Sequence, residues 1–179
     1  MRGARVRDIM PDHMVTISES DTLSTVEDIM TLGRVRHMPV VHGGKLVGVV
    51  SERDLLRASL SNLSGIDAGQ RRAFLHGVEI ARVMSTPPIV VGPDATVAEA
   101  ARVMAEHKIG CLPVVLHEEL LGIITETDVL RCFAGLPPNR DARRVPSRPK
   151  EAKPAKKDAR KEPKKEAGTK KEAGTVFSY

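Results

Sequence analysis

The chain has 179 residues, 41% of them hydrophobic, with 28 Lys and Arg against 23 Asp and Glu. This is enough apolar material for one compact domain or two small ones, and no apolar run reaches the roughly 18 residues that a membrane span needs, so we expect no membrane segment. Residues 1–139 carry 14 basic and 17 acidic side chains, a net of −3, whereas residues 140–179 carry 14 and 6, a net of +8. The basic character therefore belongs to the C-terminal tail.

An internal repeat organises most of the chain. The sequence matches itself without gaps at an offset of 74, from Val6 against Ile80 to Arg57 against Arg131. A duplicated unit of about 50 residues indicates two copies of one supersecondary structure that pack together. We call them the first and second repeats, and we expect domains at residues 1–60 and 80–135, joined by a linker at residues 61–79.

Each repeat predicts the same elements in the same order. A short extended stretch, around Thr16 in the first repeat, precedes a helix whose apolar residues recur every three or four positions and so mark one buried face. Thr96 and Glu99 have the spacing of a capping box at the second of these helices, and Gly33 has the freedom needed to end the first. Two β-branched runs then form a hairpin, with its turn at Gly43-Gly44 in the first repeat. The last strand runs into a polar segment that opens a second, short helix.

The linker and the tail differ in composition. The linker contains Arg-Arg-Ala-Phe-Leu at residues 71–75 and is predicted to be partly helical. Residues 136–179 consist mainly of Lys, Glu, Ala, Pro, Arg and Gly, and Lys-Lys-Glu-Ala-Gly-Thr occurs twice in succession, so we expect a disordered tail. The tail is either a solubilising extension or an electrostatic arm. The intermixed Glu residues favour the former, and any binding of nucleic acid through the tail is expected to be weak.

Polar residues recur where the last strand of each repeat meets the following helix. Ser51 is followed three residues later by Asp54, and Thr125 by Asp128. The start of a helix favours an anion such as a phosphate, and a carboxylate in the first turn can accept both hydrogens of a ribose diol. For a single pair, an ordinary helix cap is the simpler interpretation. The recurrence in both repeats favours a nucleotide site.

Three motifs recur in both repeats and carry a family resemblance. They lie at residues 8–10, 37–41 and 46–54 of the first repeat and at residues 80–84, 111–115 and 120–128 of the second. In these motifs the chain resembles the cystathionine beta-synthase (CBS) domain family, specifically a tandem CBS pair or Bateman module, over residues 6–133. The resemblance implies an α/β (α+β) fold of two β-α-β-β-α repeats related by a pseudo-twofold axis. It further implies adenosine ligands (AMP, ADP, ATP or S-adenosylmethionine) in two clefts between the repeats, regulation of a partner protein, and homodimers.

The same resemblance assigns the candidate site residues. Ser51 and Thr125 correspond to the family's phosphate-contacting hydroxyl, and Asp54 and Asp128 to its ribose-binding Asp. The loops before the hairpins and the first extended stretches correspond to the walls of the clefts. The complete set expected to bind nucleotide is Thr16, Arg36, His37, Pro39, Ser51, Arg53, Asp54, Val90, Ile109, Pro113, Thr125, Thr127 and Asp128.

Basic side chains of the expected site are concentrated in the first repeat. Arg34, Arg36 and Arg53 lie in its loop and helix start, whereas the second repeat has Lys108 in its loop and Thr127 in place of Arg53. A polyphosphate is therefore expected to be neutralised on the first repeat, unless these arginines are simply solvated. Because aromatic residues are few, adenine is expected to rest on aliphatic side chains and backbone.

Other functional classes find little support in the sequence. No nucleophile elbow, Walker A or dinucleotide-binding glycine motif occurs, and the six His are scattered, so we expect no enzyme, catalytic residue, catalytic cofactor or metal site. Cys111 and Cys132 lack CxxC spacing, which favours a reducing, cytoplasmic location. Two hypotheses remain: an adenosine-nucleotide sensor that regulates an unidentified protein, or a nucleic-acid-associated protein whose CBS pair is a dimerisation scaffold.

Overall fold

The computed structural model describes residues 3–60 and 67–139, and the predicted disorder of the tail beyond residue 139 lies outside these residues. The predicted mixed α/β fold with two repeats is confirmed, and a helix lies between the repeats. The helices are α1 (Val6–Ile9), α2 (Leu23–Gly33), α3 (Glu52–Leu60), α4 (Ala68–Gly77), α5 (Val97–His107) and α6 (Glu126–Phe133), with a 3-10 helix at Ile80–Arg82. The strands are β1 (Ile17–Ser18), β2 (His37–His42), β3 (Lys45–Ser51), β4 (Cys111–Leu116) and β5 (Glu119–Thr125).

A β-hairpin forms the centre of each repeat. β2 pairs antiparallel with β3, from His37 opposite Ser51 onward, and β4 pairs with β5 in the equivalent register. β1 extends the first hairpin as a parallel strand beside β2. In the second repeat, the extended stretch expected around Val90 is present only as one parallel bridge between Val91 and Val114. The two sheets are therefore related but unequal.

Local signals set the ends of the two longest helices. At α5, Thr96 and Glu99 form the predicted capping box: the N–H of Thr96 donates to Oε2 of Glu99 at 2.8 Å, and the N–H of Glu99 donates to Oγ1 of Thr96 at 3.2 Å. The bonds that the backbone N–H and the hydroxyl of Thr96 donate to the carboxylate hold the pKa of Glu99 below its ordinary value. The left-handed residue that ends α2 is Arg34 (φ 49°), not Gly33 as predicted, and its counterpart after α5 is Lys108 (φ 55°). The prediction was wrong by one residue because the helix keeps its conformation through Gly33, and the N–H of Arg34 still bonds to helix carbonyls.

Both hairpin turns place two consecutive residues in the left-handed region. These are Gly43 (φ 56°) and Gly44 (φ 81°) in the first repeat, and His117 (φ 49°) and Glu118 (φ 68°) in the second. Positive φ at both positions matches the twist of a tight hairpin and favours glycine without requiring it. The same turn is thus evident in the sequence of the first repeat only.

The two repeats exchange the short segments at their N-terminal ends. Residues 4–10 lie at the start of the first repeat, yet Val6 donates its N–H to the carbonyl of Ala95 at 2.9 Å and is buried in the core of the second. Residues 78–84 lie at the start of the second repeat, yet Ile80 donates its N–H to the carbonyl of Asp21 at 2.8 Å and is buried in the core of the first. The core of each half is therefore built from residues on both sides of the predicted boundaries.

The exchanged segments explain a glycine in the last strand of each hairpin. A Cβ at Gly48 of β3 would lie 2.7 Å from Sδ of Met84, and one at Gly122 of β5 would lie 3.2 Å from Sδ of Met10. A glycine within a strand commonly marks the close approach of another segment. Each methionine thus packs on the hairpin of the repeat that receives its segment.

Candidate functional site

The predicted hydroxyl and carboxylate meet at the start of α3 and again at the start of α6. Ser51 donates to Oδ2 of Asp54 from its backbone nitrogen at 2.9 Å and from Oγ at 2.6 Å. Thr125 makes the same two bonds to Oδ2 of Asp128, at 2.8 and 2.7 Å. In both repeats the carboxylate is therefore oriented by the last residue of the preceding strand.

These hydrogen bonds are those of a helix cap, the simpler interpretation of each pair alone. The carboxylate accepts the N–H of the residue directly before the helix, as in a capping box. Each hydroxyl donates a hydrogen bond to the carboxylate, so Ser51 and Thr125 position the Asp of their own repeat. From the sequence, these hydroxyls were expected either to cap the helix or to contact a phosphate, and their role in positioning the Asp was not predicted.

Strand pairing brings two more predicted residues to the first junction. His37 begins β2 directly opposite Ser51. The carbonyl of Arg36 accepts the N–H of Glu52, the first residue of α3, at 2.9 Å. The loop before the hairpin and the start of α3 are thus joined by a backbone hydrogen bond.

His37 also lies at a contact between the two repeats. A Cβ at Gly110 would lie 2.9 Å from Nε2 of His37 and 3.6 Å from Cδ of Glu126. The imidazole of the first repeat therefore packs against the backbone of the second, beside the start of α6. Glycine at this position leaves the space that the ring occupies.

The other predicted residues differ in exposure. Thr16 is half-buried directly before β1, and Val90 is 45% exposed directly before the bridge at Val91. Arg53 and Thr127 are exposed in the first turns of α3 and α6. The three apolar residues of the predicted set are half-buried or buried around the second loop and the hairpins: Ile109, Pro39 and Pro113.

Asp54 lines a cleft of about 500 Å³ between α3, α4 and the 3-10 helix. Sites for small ligands commonly enclose about 300–1,000 Å³. Arg57, Phe74 and Arg82 also line this cleft, and the sequence analysis did not include them. The spacing of Arg57, three residues after Asp54 on one helix, could have indicated it. The rest of the wall is apolar or small: Ala58, Val78 and Val83.

The basic residues that the sequence analysis grouped together do not converge on Asp54. Arg34 and Arg36 line a separate groove of about 430 Å³ between α2 and α3, together with Glu27 and Glu52. That groove has no lining residue in common with the cleft of Asp54, and Arg53 lines neither of them. The positive charge beside Asp54 comes instead from Arg57 and Arg82.

Residues 3–60 and 67–139 contain neither a metal-binding cluster nor a helix that could span a membrane. No group of three or more His, Cys, Asp or Glu in this part of the chain could hold a metal ion. None of its helices combines the length and the apolar character needed to cross a membrane. Cys111 is buried, Cys132 is half-buried, and no disulfide joins them.

The duplicated α/β unit, with its two capped strand-to-helix junctions, defines a tandem CBS pair. The sequence model of the CBS domain matches residues 6–61 and 80–135. The chain belongs to the CBS domain family, which confirms the resemblance identified from its motifs.

Curated relatives and solved structures are similar to this chain. The CBS domain-containing protein YhcV of Bacillus subtilis is 31% identical over 124 residues, which cover 69% of this chain and 81% of YhcV. The CBS domain pair of protein MJ0100, solved in complex with 5-methylthioadenosine and S-adenosyl-L-methionine, is 25% identical with a TM-score of 0.62, covering 74% of this chain and 97% of that one. CBSX2, solved in complex with AMP, is 28% identical with a TM-score of 0.62, covering 74% and 98%.

Other curated relatives are much longer than the matched region. The chain spans 33%, 21% and 42% of the length of three of them, the second being an inosine-5'-monophosphate dehydrogenase of Korarchaeum cryptofilum. The dehydrogenase is 34% identical over 117 residues. The similarity to these longer proteins therefore concerns their CBS region.

Proposed function

We propose that this chain is a regulatory module that binds adenosine compounds in its CBS pair and thereby controls a partner protein. The observation that carries the proposal is the recurrence of a carboxylate, held in the same way, at both strand-to-helix junctions. Two related CBS pairs were solved with AMP, or with 5-methylthioadenosine and S-adenosyl-L-methionine. These compounds share an adenosine, whose ribose diol is the group that a carboxylate recognises.

At the first junction, the carboxylate of Asp54 is already oriented to accept hydrogen bonds from such a diol. An ionised carboxylate offers about four lone-pair positions, and Ser51 engages Oδ2 of Asp54. Ribose hydroxyls can therefore donate to the carboxylate without reorientation of the side chain, which lowers the entropic cost of binding. Phe74 and Val78 line the same cleft and supply an apolar wall for the base. This wall includes an aromatic ring, in contrast to the aliphatic support expected from the sequence.

In this proposal the adenosine compound is a regulatory ligand, and the chain supplies neither catalytic residues nor a catalytic cofactor. Binding to the native state alone stabilises it, by about 2.7 kcal/mol at 100 times the Kd. For a chain of this size, that corresponds to a rise of several degrees in Tm, on the order of 2–4 °C per kcal/mol. The partner protein would respond to whether the adenosine compound is bound.

Replacing Asp54 with Asn separates the helix cap from the ligand site. The Asn carbonyl can still accept the hydrogen bonds from Ser51, whereas the amide NH₂ cannot accept a ribose hydroxyl. We expect Asp54→Asn to keep the wild-type Tm without ligand and to lose affinity for AMP or adenosine at the first site by about 10- to 100-fold. Isothermal titration calorimetry and thermal unfolding of the full chain measure the two effects.

The matched control is Glu52→Gln, which removes one negative charge from an exposed residue in the same helical turn. Its affinity should match that of the wild type, and Asp128→Asn should affect a different site from Asp54→Asn. Unchanged affinity and stoichiometry in both Asp variants would refute the site. A wild-type chain that is folded and whose Tm no adenosine compound raises would refute the function.

We also propose that the chain forms a homodimer through the short helices that follow the hairpins. Leu56 of α3 and Leu130 of α6 occupy equivalent positions in the two repeats and are 52% and 65% exposed. Phe133 follows on α6 with 72% exposure. Exposed apolar side chains that recur on two related helices are typical of an interface. In a symmetric dimer, a second copy of the chain would cover α3 and α6 with equivalent contacts.

A further inference from the structure

We propose that the two adenosine sites differ in the charge of the ligand they accept: the first takes a phosphorylated adenosine, and the second takes an adenosine compound without a phosphate. This inference rests on the proposed function and specifies its ligands. It follows from the exchange of residues 4–10 and 78–84 between the repeats. That exchange brings a different charged residue to each Asp.

In the first repeat, the exchanged segment adds a second cation to the cleft. Arg57 and Arg82 line the same cleft as Asp54, so that two guanidinium groups accompany one carboxylate. A guanidinium binds a phosphate through charge-assisted and often bidentate hydrogen bonds. With the ribose on Asp54 and the base against Phe74, a 5′-phosphate has these two arginines as partners.

In the second repeat, the residue that corresponds to Arg82 is acidic. The residues equivalent to Arg57 and Arg82 are Arg131 and Asp8, since both pairs are related by the offset of 74. Matching hydrogen bonds support the equivalence of the two segments: Arg7 donates its N–H to the carbonyl of Pro93 at 3.0 Å, as Ala81 does to Glu19.

Arg131, the counterpart of Arg57, bonds to the segment that follows α6. Arg131 donates from Nε and Nη2 to the carbonyl of Pro137, at 3.2 and 2.8 Å. Asp8 lies on α1, which packs against α6. The second repeat therefore has the carboxylates of Asp8 and the buried Asp128 where the first repeat has Arg82 and Asp54, and this replacement of a cation by an anion disfavours a phosphate there.

The linker helix adds a further difference. Phe74 lies on α4, a helix between the repeats that has no counterpart after α6 within the described residues. A ligand in the first cleft touches this helix, whereas one at the second junction has no equivalent wall. The phosphorylated ligand is thus the one whose binding is coupled to the linker.

The experiment uses the full chain carrying Asp128→Asn, so that binding at the first site is measured by calorimetry with AMP and with adenosine. We expect AMP to bind more tightly than adenosine. Adding Arg82→Asp, which copies the second repeat, should weaken AMP binding by about 10- to 100-fold more than adenosine binding. The matched control is Arg72→Asp, an exposed residue of α4 outside the cleft, which should change neither affinity.

The reciprocal arm tests the second site in the Asp54→Asn background. Asp8→Asn retains the oxygen that accepts the N–H of Arg5 and removes the charge. It should improve AMP binding relative to adenosine. Equal weakening of AMP and adenosine by Arg82→Asp, or no effect on either, would overturn this inference while leaving the proposed function in place. Failure of every adenosine compound to bind the wild-type chain would overturn both.

Discussion

Replacing Ile80 with Ala tests whether residues 78–84, which lie at the start of the second repeat, stabilise the first repeat. Ile80 is fully buried in the core of that repeat, and the change removes three side-chain carbons. At about 0.8 kcal/mol per buried carbon, the lost transfer free energy is roughly 2.4 kcal/mol. The cavity left behind brings the expected loss into the range of about 2–5 kcal/mol.

We expect a value in the upper half of that range, because the backbone limits collapse around the cavity. The N–H groups of Ile80 and Ala81 are held by the carbonyls of Asp21 and Glu19 at 2.8 and 3.0 Å. Urea unfolding gives the loss in free energy of unfolding, and hydrogen exchange read by mass spectrometry locates it. In Ile80→Ala, peptides from β2 should lose protection before peptides from β4.

The matched variant is Val6→Ala, which removes two carbons from the equivalent position in the core of the second repeat. It should cost less, with a transfer term of about 1.6 kcal/mol, and it should weaken β4 before β2. If β4 lost protection first in Ile80→Ala and β2 lost it first in Val6→Ala, each segment would stabilise the repeat to which it belongs in sequence. That result would refute the exchange.

Two further predictions concern strand packing and assembly. Gly48→Ala should lower the free energy of unfolding by about 1–3 kcal/mol, because its Cβ would lie 2.7 Å from Sδ of Met84 and 3.0 Å from the backbone oxygen of Ser85. Gly122→Ala should cost less, because its Cβ meets only the side chain of Met10, at 3.2 Å; equal costs in urea unfolding would contradict this reasoning. Leu130→Lys should shift the mass measured by light scattering from dimer to monomer, whereas Leu116→Lys, on the exposed end of β4, should not; a monomeric wild-type chain would remove the basis of the dimer.

Much of the fold could be predicted from the sequence because it depends on short-range patterns. The apolar periodicity of α2 and α5, the β-branched hairpins and the capping box of Thr96 and Glu99 all involve residues a few positions apart. The pairing of Ser51 with Asp54, and of Thr125 with Asp128, is of the same kind, since three residues of helix bring the carboxylate back to the cap. The duplication then identified the family.

The surroundings of each Asp depended on tertiary structure. Arg82 lines the cleft of Asp54 only because residues 78–84 pack on the first repeat. Phe74 lines the same cleft only because α4 packs against α2. Arg34 and Arg36, which lie in the loop before β2, line a separate groove between α2 and α3. Contacts between segments so distant in sequence follow from the packing of whole elements, and no local spacing encodes them. The sequence by itself therefore determined the repeated unit and its paired carboxylates, whereas the tertiary structure decided which charges stand beside each of them.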